Sequence, residues 1–286
     1  MTDTELSCLL SRLELPSPVT AIPFLREEDG TEYEVWKVTA NGETFVLKKA
    51  KEAELDIYRT FFREHIPGAP RLIQTIHTEY GDCFLMEFAE GENLCYCARV
   101  KLIPALDALI ALQERFWNCK TQGGVSFEQS LLHRRSRGNY LGDEALERAY
   151  DAFLAEFAAL PRTLCHDDLL PFNVLVSENT ATLIDWETAG VLPYPTSLAR
   201  LIAHCEEEKS AFFHMTEGDK AFAVDYYYEH LIKSKGISYE RYRRSLNLFL
   251  LYEYCEWIML GNKYPDGDRE RHQKYLRKAK EHIKRL

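Results

Sequence analysis

Between His166 and Asp185 the chain reads His-Asp-Asp-Leu-Leu-Pro-Phe-Asn-Val-Leu-Val and, after a polar turn, Ala-Thr-Leu-Ile-Asp. Asp168 and Asn173 are five residues apart across a loop closed by Pro171. Asn173 leads into an apolar run, 174–176, and a turn at Glu178-Asn179 sends the chain back along 181–184. Pairing of these two short strands sets Asp185 beside Asn173. Three oxygen-bearing side chains then converge at one edge of a hairpin. Oxygen donors of this kind suit a hard divalent cation, and a nearby carboxylate can orient a hydroxyl and take its proton. Together these are the needs of phosphoryl transfer from a nucleotide. Any one of these residues alone would be an ordinary turn former, and His166 alone an ordinary core histidine. The spaced set carries the reading.

A triphosphate also needs a cation. Phe-Val-Leu-Lys at 45–48 is an apolar strand ending in Lys48, and Lys49 is the competitor, since strand alternation sends the two to opposite faces. Over 51–64, Leu55, Tyr58, Phe61 and Phe62 recur at helical spacing, and Pro67-Gly68 is the expected stop. On that helix Glu54 lies on or next to the apolar face and is the acid placed to hold the ammonium; Glu52 is off the register.

The elements around these residues fall into two groups. A leading helix is expected over 4–13 and strands over 21–25, 33–38 and 44–47. Asn41-Gly42 joins the last two as a hairpin turn, because both residues tolerate positive φ. Further strands are expected over 71–78 and 83–88, with a turn at 80–82. A polar linker, 89–93, follows, then helical patterns over 94–117 and 144–160 and through most of the chain beyond 186. Gly123-Gly124 and Gly138 mark 120–142 as loop-rich. The expected architecture is α+β: a β-rich nucleotide-binding lobe over 1–88 and a mainly helical lobe over 89–286 with the catalytic loop and acceptor site.

The spacing His-x-Asp-x₄-Asn, with Asp twelve residues further on, matches the kinase catalytic-loop pattern. The run 166–173 followed by Ile184-Asp185-Trp186 resembles the aminoglycoside phosphotransferase and choline kinase family, whose fold is protein-kinase-like. That resemblance implies Asp168 as catalytic base, Asn173 and Asp185 as Mg²⁺ ligands, and His166 as a brace for the loop. It implies Lys48 held by Glu54 on the phosphates, and backbone groups from Glu87 to Ala89 at the adenine edge. ATP is the implied donor, with GTP open. Two departures stand out. Asp167 occupies a position where the family often has Gly or Asn, so it either adds a like charge beside Asp168 or points to solvent. The segment 26–32 has one glycine and no Gly-x-Gly-x-x-Gly to cover phosphates. The second motivates a rival reading, a catalytically inactive kinase-fold scaffold, which slow ATP hydrolysis would exclude.

The acceptor is expected to be a small alcohol. Tyr252-Glu-Tyr-Cys-Glu-Trp257 alternates aromatics with Glu253 and Glu256, and Glu187 follows the Asp185 motif. Acids and aromatics suit a cationic acceptor, although aromatics at helical spacing also build ordinary core. Over the 286 residues, 45 acids against 35 Lys and Arg give a charge of −10, which disfavours nucleic acid. No run reaches the length of a membrane span or has the pattern of an export signal, and eight scattered cysteines fit a reduced, cytoplasmic setting.

Overall fold

The computed structural model describes residues 3–25, 30–79, 81–264 and 268–286. The chain begins with helix α1 (Asp3–Leu10), then strands β1 (Val19–Leu25), β2 (Glu32–Ala40) and β3 (Glu43–Lys49). Helix α2 (Glu52–Phe61) and strands β4 (Leu72–Thr78) and β5 (Gly81–Glu87) complete the first part. The five strands form one antiparallel sheet in the order β1-β2-β3-β5-β4. Asn41 and Gly42, with φ of 49° and 83°, make the tight β2–β3 turn.

Alternation along β3 decides which lysine faces the site. Leu47, with Trp36, Val38, Cys83 and Leu85, packs against Leu9 and Leu13 of the leading segment. Val46, with Phe84 and Met86, packs on the other face against Leu55 and Tyr58 of α2. Lys48 shares the Val46 face and so points at α2, whereas Lys49 bonds Glu34 on the opposite side. Helix α2 presents Leu55, Ile57, Tyr58 and Phe61 inward, with acids Glu52 and Glu54 in its first turn, where the helix dipole favours them. It ends at Phe61, earlier than the expected stop at Pro67-Gly68. Phe62 leaves helical geometry as the C-cap, and its carbonyl accepts the Leu72 N–H at 2.7 Å, so the chain turns out toward β4.

The second part contains β6 (Glu92–Asn93) and helices α3 (Arg99–Arg115), α4 (Phe127–Gly138) and α5 (Glu144–Ala159). Strands β7 (Arg162–Cys165), β8 (Val174–Ser177), β9 (Thr180–Leu183) and β10 (Gly190–Pro193) follow, then α6 (Pro195–Ala203), α7 (Glu217–Tyr227), α8 (Tyr239–Lys263) and α9 (Arg269–His282). The strands pair as β6-β8-β9 and β10-β7. Helix α3 begins at Arg99, since Leu94 and Cys97 instead donate backbone hydrogen bonds to Pro171 and His214. Helix α4 corrects the expectation of loop over 120–142. Ser126 and Gln129 form a reciprocal capping box at its start, which outweighs the glycines on either side. Among the described residues no helix is long and apolar enough to cross a membrane.

Candidate active site

The β8–β9 hairpin pairs Val174 with Leu183, and Ile184 N–H donates to the Asn173 carbonyl at 3.0 Å. Asn173 and Asp185 therefore leave the hairpin from adjacent positions. Asp185 itself has φ of 65°, an uncommon conformation that aspartate tolerates better than most residues. The backbone is fixed there by what flanks it. His166 Nε2 bonds the Ile184 carbonyl at 2.7 Å, Trp186 Nε1 donates to Leu183 O at 2.7 Å, and the two rings pack 4.8 Å apart. Burial pulls the His166 pKa below its ordinary value, so a neutral ring braces the loop. The His166 N–H donates to Ser197 Oγ at 2.9 Å, which anchors the 166–173 loop to α6.

Lys48 Nζ lies 2.8 Å from Glu54 Oε1 and 2.6 Å from Asp185 Oδ1, joining β3, α2 and the Asp185 turn. Desolvation works against the ammonium, yet the two carboxylates outweigh it and raise the Lys48 pKa. Glu54 is fully buried, and desolvation pushes its carboxyl up in spite of Lys48. These two directions disagree about how firmly the pair is charged. With two acids on one ammonium at these distances, we stand behind a charged lysine. Phe62 of the α2 C-cap packs edge-on against Trp186 at 4.8 Å, tying α2 to the turn that carries Asp185.

Acidic atoms of Glu54, Asp185 and Glu187 lie within 4.8 Å of one another, the one such group among the described residues. Glu54 Oε2 is buried without a hydrogen-bond partner. Asn173 donates its amide N–H to the Asp168 carbonyl at 2.8 Å, which directs the side-chain oxygen away from the protein backbone it grips. This donor set is all oxygen and fits Mg²⁺. Glu187, weighed in the sequence as an acceptor contact, instead sits with Asp185 and forms an ion pair with Lys51.

Asp168 is gripped by a residue the sequence did not single out. Arg200 of α6 donates to Asp168 Oδ1 from Nε at 3.0 Å and from Nη2 at 2.6 Å. Its Nη1 reaches Glu253 Oε2 at 2.8 Å and lies 3.5 Å from Glu256. Glu253 is 2% exposed and also meets His204 Nε2 at 3.2 Å, while His204 Nδ1 meets Tyr275 OH at 2.8 Å. Burial opposes the Glu253 charge, but Arg200 and His204 prevail and its pKa is lowered. Asp168 Oδ2 has no protein partner among the described residues, so this oxygen is free for a hydroxyl. Asp167 does not point to solvent. It accepts a 2.5 Å bond from the buried Arg134 of α4, whose guanidinium lies between the Phe157 and Tyr252 rings.

The aromatic run on α8 divides accordingly. Tyr252 stacks on Phe153 at 4.7 Å and Trp257 on Tyr275 at 5.8 Å, so these rings are core. Glu253 and Glu256 face arginines. At the hinge, Glu87 commits its N–H to Arg71 O at 3.0 Å and its carboxylate to Arg71 Nε at 3.0 Å. Ala89 follows in irregular, half-buried chain. The segment 26–32, weighed in the sequence as a cover for phosphates, falls partly on 26–29, outside the described residues.

The fold is that of the protein-kinase-like phosphotransferases. A family profile, the APH phosphotransferase enzyme family, matches residues 26–226, and the chain belongs to that family. No curated protein matches in sequence. In fold the chain is similar to choline kinase from Cryptosporidium parvum (TM-score 0.62, 16% identity, 99% of this chain and 97% of that one). It is likewise similar to aminoglycoside phosphotransferase from Alicyclobacillus acidocaldarius (0.57, 15%, 92% and 93%). A third is an amicoumacin kinase solved with AMP-PNP, Ca²⁺ and Ami (0.56, 13%, 100% and 94%).

Proposed function

We propose that the protein transfers a phosphoryl group from Mg·ATP to the hydroxyl of a small alcohol that carries positive charge. The single observation that supports it most is Lys48, bonded at once to Glu54, six residues away, and to Asp185, 137 residues away. A plain solvated strand end has no need of two such partners. Lys48, held by Glu54, would take the α and β phosphates. Asn173 and Asp185 would hold Mg²⁺, with Glu187 close enough to share it; the ion supplies charge neutralisation on the phosphates. Asp168 Oδ2 would accept the proton of the acceptor hydroxyl, while Arg200 holds the other oxygen, Oδ1, through two hydrogen bonds. The carbonyl of Glu87 and the backbone at Ala89 would meet the adenine edge.

Charge around Asp168 bears on the acceptor. Asp167, Asp168, Glu253 and Glu256 face Arg134, Arg137 and Arg200, so four carboxylates meet three guanidinium groups. The local excess is negative, which favours an amine-bearing alcohol over an anionic one. The solved amicoumacin kinase, with a nucleotide analogue and a divalent cation, supports the choice of donor.

The test is nucleotide consumption by purified protein against a panel of amino alcohols, sugars and aminoglycosides, repeated with Asp168→Ala. One or more acceptors should stimulate ADP release, and the variant should lose that stimulation by about 10²-fold or more. Undiminished turnover in Asp168→Ala would remove the assignment of the base. Absence of any ATP hydrolysis, with or without acceptor, would favour the scaffold.

A further inference from the structure

The segment joining α3 to α4 does more than connect them. Gly124 N–H donates to Asp56 Oδ2 at 2.8 Å, and Asp56 lies two residues beyond Glu54 on α2. The next amide, Val125 N–H, donates to Ala189 O at 2.8 Å, four residues beyond Asp185. Two consecutive amides thus bind the two elements that supply the partners of Lys48. Contact along this segment is close throughout. A Cβ on Gly124, whose φ is +72°, would stand 2.3 Å from the Ala189 carbonyl oxygen and 2.6 Å from Ile57. One on Gly123 would stand 2.9 Å from the Phe61 ring, and one on Gly190 would stand 2.2 Å from the Val125 carbonyl oxygen. At Gly124 and Gly190 glycine is required because main chain packs on main chain.

Holding α2 inward has a cost. Glu54 is buried with one oxygen unpartnered, so desolvation favours an outward swing of the helix that would release Lys48. Something outside the ion pair must oppose that swing. We propose that Asp56 is a positioning residue for the Lys48–Glu54 pair, fastening α2 to the glycine segment 123–125 so that Glu54 is seated without a separate activating event. This rests on the reading of Lys48 as the phosphate-binding cation. The tie itself can be tested without that reading.

The experiment compares wild type, Asp56→Ala and Asp56→Asn, each also in a Glu54→Gln background. It reads KM for ATP in acceptor-free hydrolysis, and amide hydrogen exchange over α2 in the nucleotide-free protein. Asp56→Ala should raise KM about tenfold, the value of roughly one hydrogen bond, and speed exchange across α2 by a similar factor. Asp56→Asn keeps an acceptor oxygen and should stay within about twofold of wild type. With Glu54→Gln in place, Asp56→Ala should add nothing to KM. Unchanged α2 exchange in Asp56→Ala overturns the proposal, as does an undiminished KM effect in the Glu54→Gln background. A wild type that neither binds nor hydrolyses ATP overturns the functional reading instead, and α2 exchange still decides the tie.

Discussion

Replacing Arg200 by methionine removes a guanidinium that serves three carboxylates, of which Asp168 and Glu253 are held closest and differ in exposure. Glu253 is 2% exposed and would keep only His204 as a partner. Breaking a buried pair from one side costs ~3–5 kcal/mol. Taking the lower figure, a chain of this size should lose roughly 6–12 °C in Tm. Asp168 is one-third exposed, so water takes over part of the lost contact. Two charge-assisted hydrogen bonds to one oxygen, discounted for that screening, are worth ~1.5–2 kcal/mol, or about 10- to 30-fold in kcat. KM for ATP should hardly change, because Lys48 and Asp185 are untouched. The assay is steady-state ADP release with a stimulating acceptor, beside calorimetry on the same preparations. Adding Glu253→Gln neutralises the stranded acid and should recover Tm without recovering kcat. Folded Arg200→Met with kcat within about twofold of wild type would refute the positioning argument. So would a double variant in which both quantities return together, since Arg200 would then act through stability alone.

Ser126→Ala removes the hydroxyl that caps α4 and should cost ~1 kcal/mol, read as a shift in the denaturant midpoint; no shift would mean that the cap contributes nothing. His282 is buried and bonded to the Asn247 carbonyl at 2.8 Å, and burial lowers its pKa. Below the ordinary histidine pKa of about 6.5 the unfolded chain binds a proton that the folded one refuses, so stability falls as pH drops through that window. His282→Gln should flatten that slope by up to ~1.4 kcal/mol per pH unit relative to wild type, and parallel stability–pH curves would contradict the burial argument.

Much of this site was legible because strand pairing translates directly into proximity. The apolar runs 174–176 and 181–184 could pair in few ways, and the pairing observed sets Asp185 beside Asn173. Glu54 was likewise readable from the α2 register, whereas β3 alternation alone left Lys48 and Lys49 open and the place of Lys48 after the apolar run favoured it. Arg200 was not. It is a lone charge among Leu198, Ala199, Leu201 and Ile202, and its partners lie 32 and 53 residues away on a loop and another helix. Nothing local encodes such a meeting. Helix α4 is a different case. Its Ser-x-x-Gln capping signature is present in the sequence, but the glycines at 123, 124 and 138 carry the opposite, loop-forming signal. Gly123 and Gly124 pack against α2, and Gly124 also against Ala189 just ahead of β10, a tertiary role no local pattern shows.

The doubly engaged lysine bears on how a ligand enters. Lys48 and Asp185 are already paired, so under the proposed function binding would be an exchange of partners rather than the filling of a charged hole. Each would leave the other for a phosphate or for a metal ion, and the tally of opposite-charge contacts would stay level. Nucleotide arriving without metal would strand Asp185 facing a polyanion, and metal alone would leave Lys48 with Glu54 beside a new positive charge. On that proposal, mutual dependence of the two ligands would follow from one 2.6 Å contact.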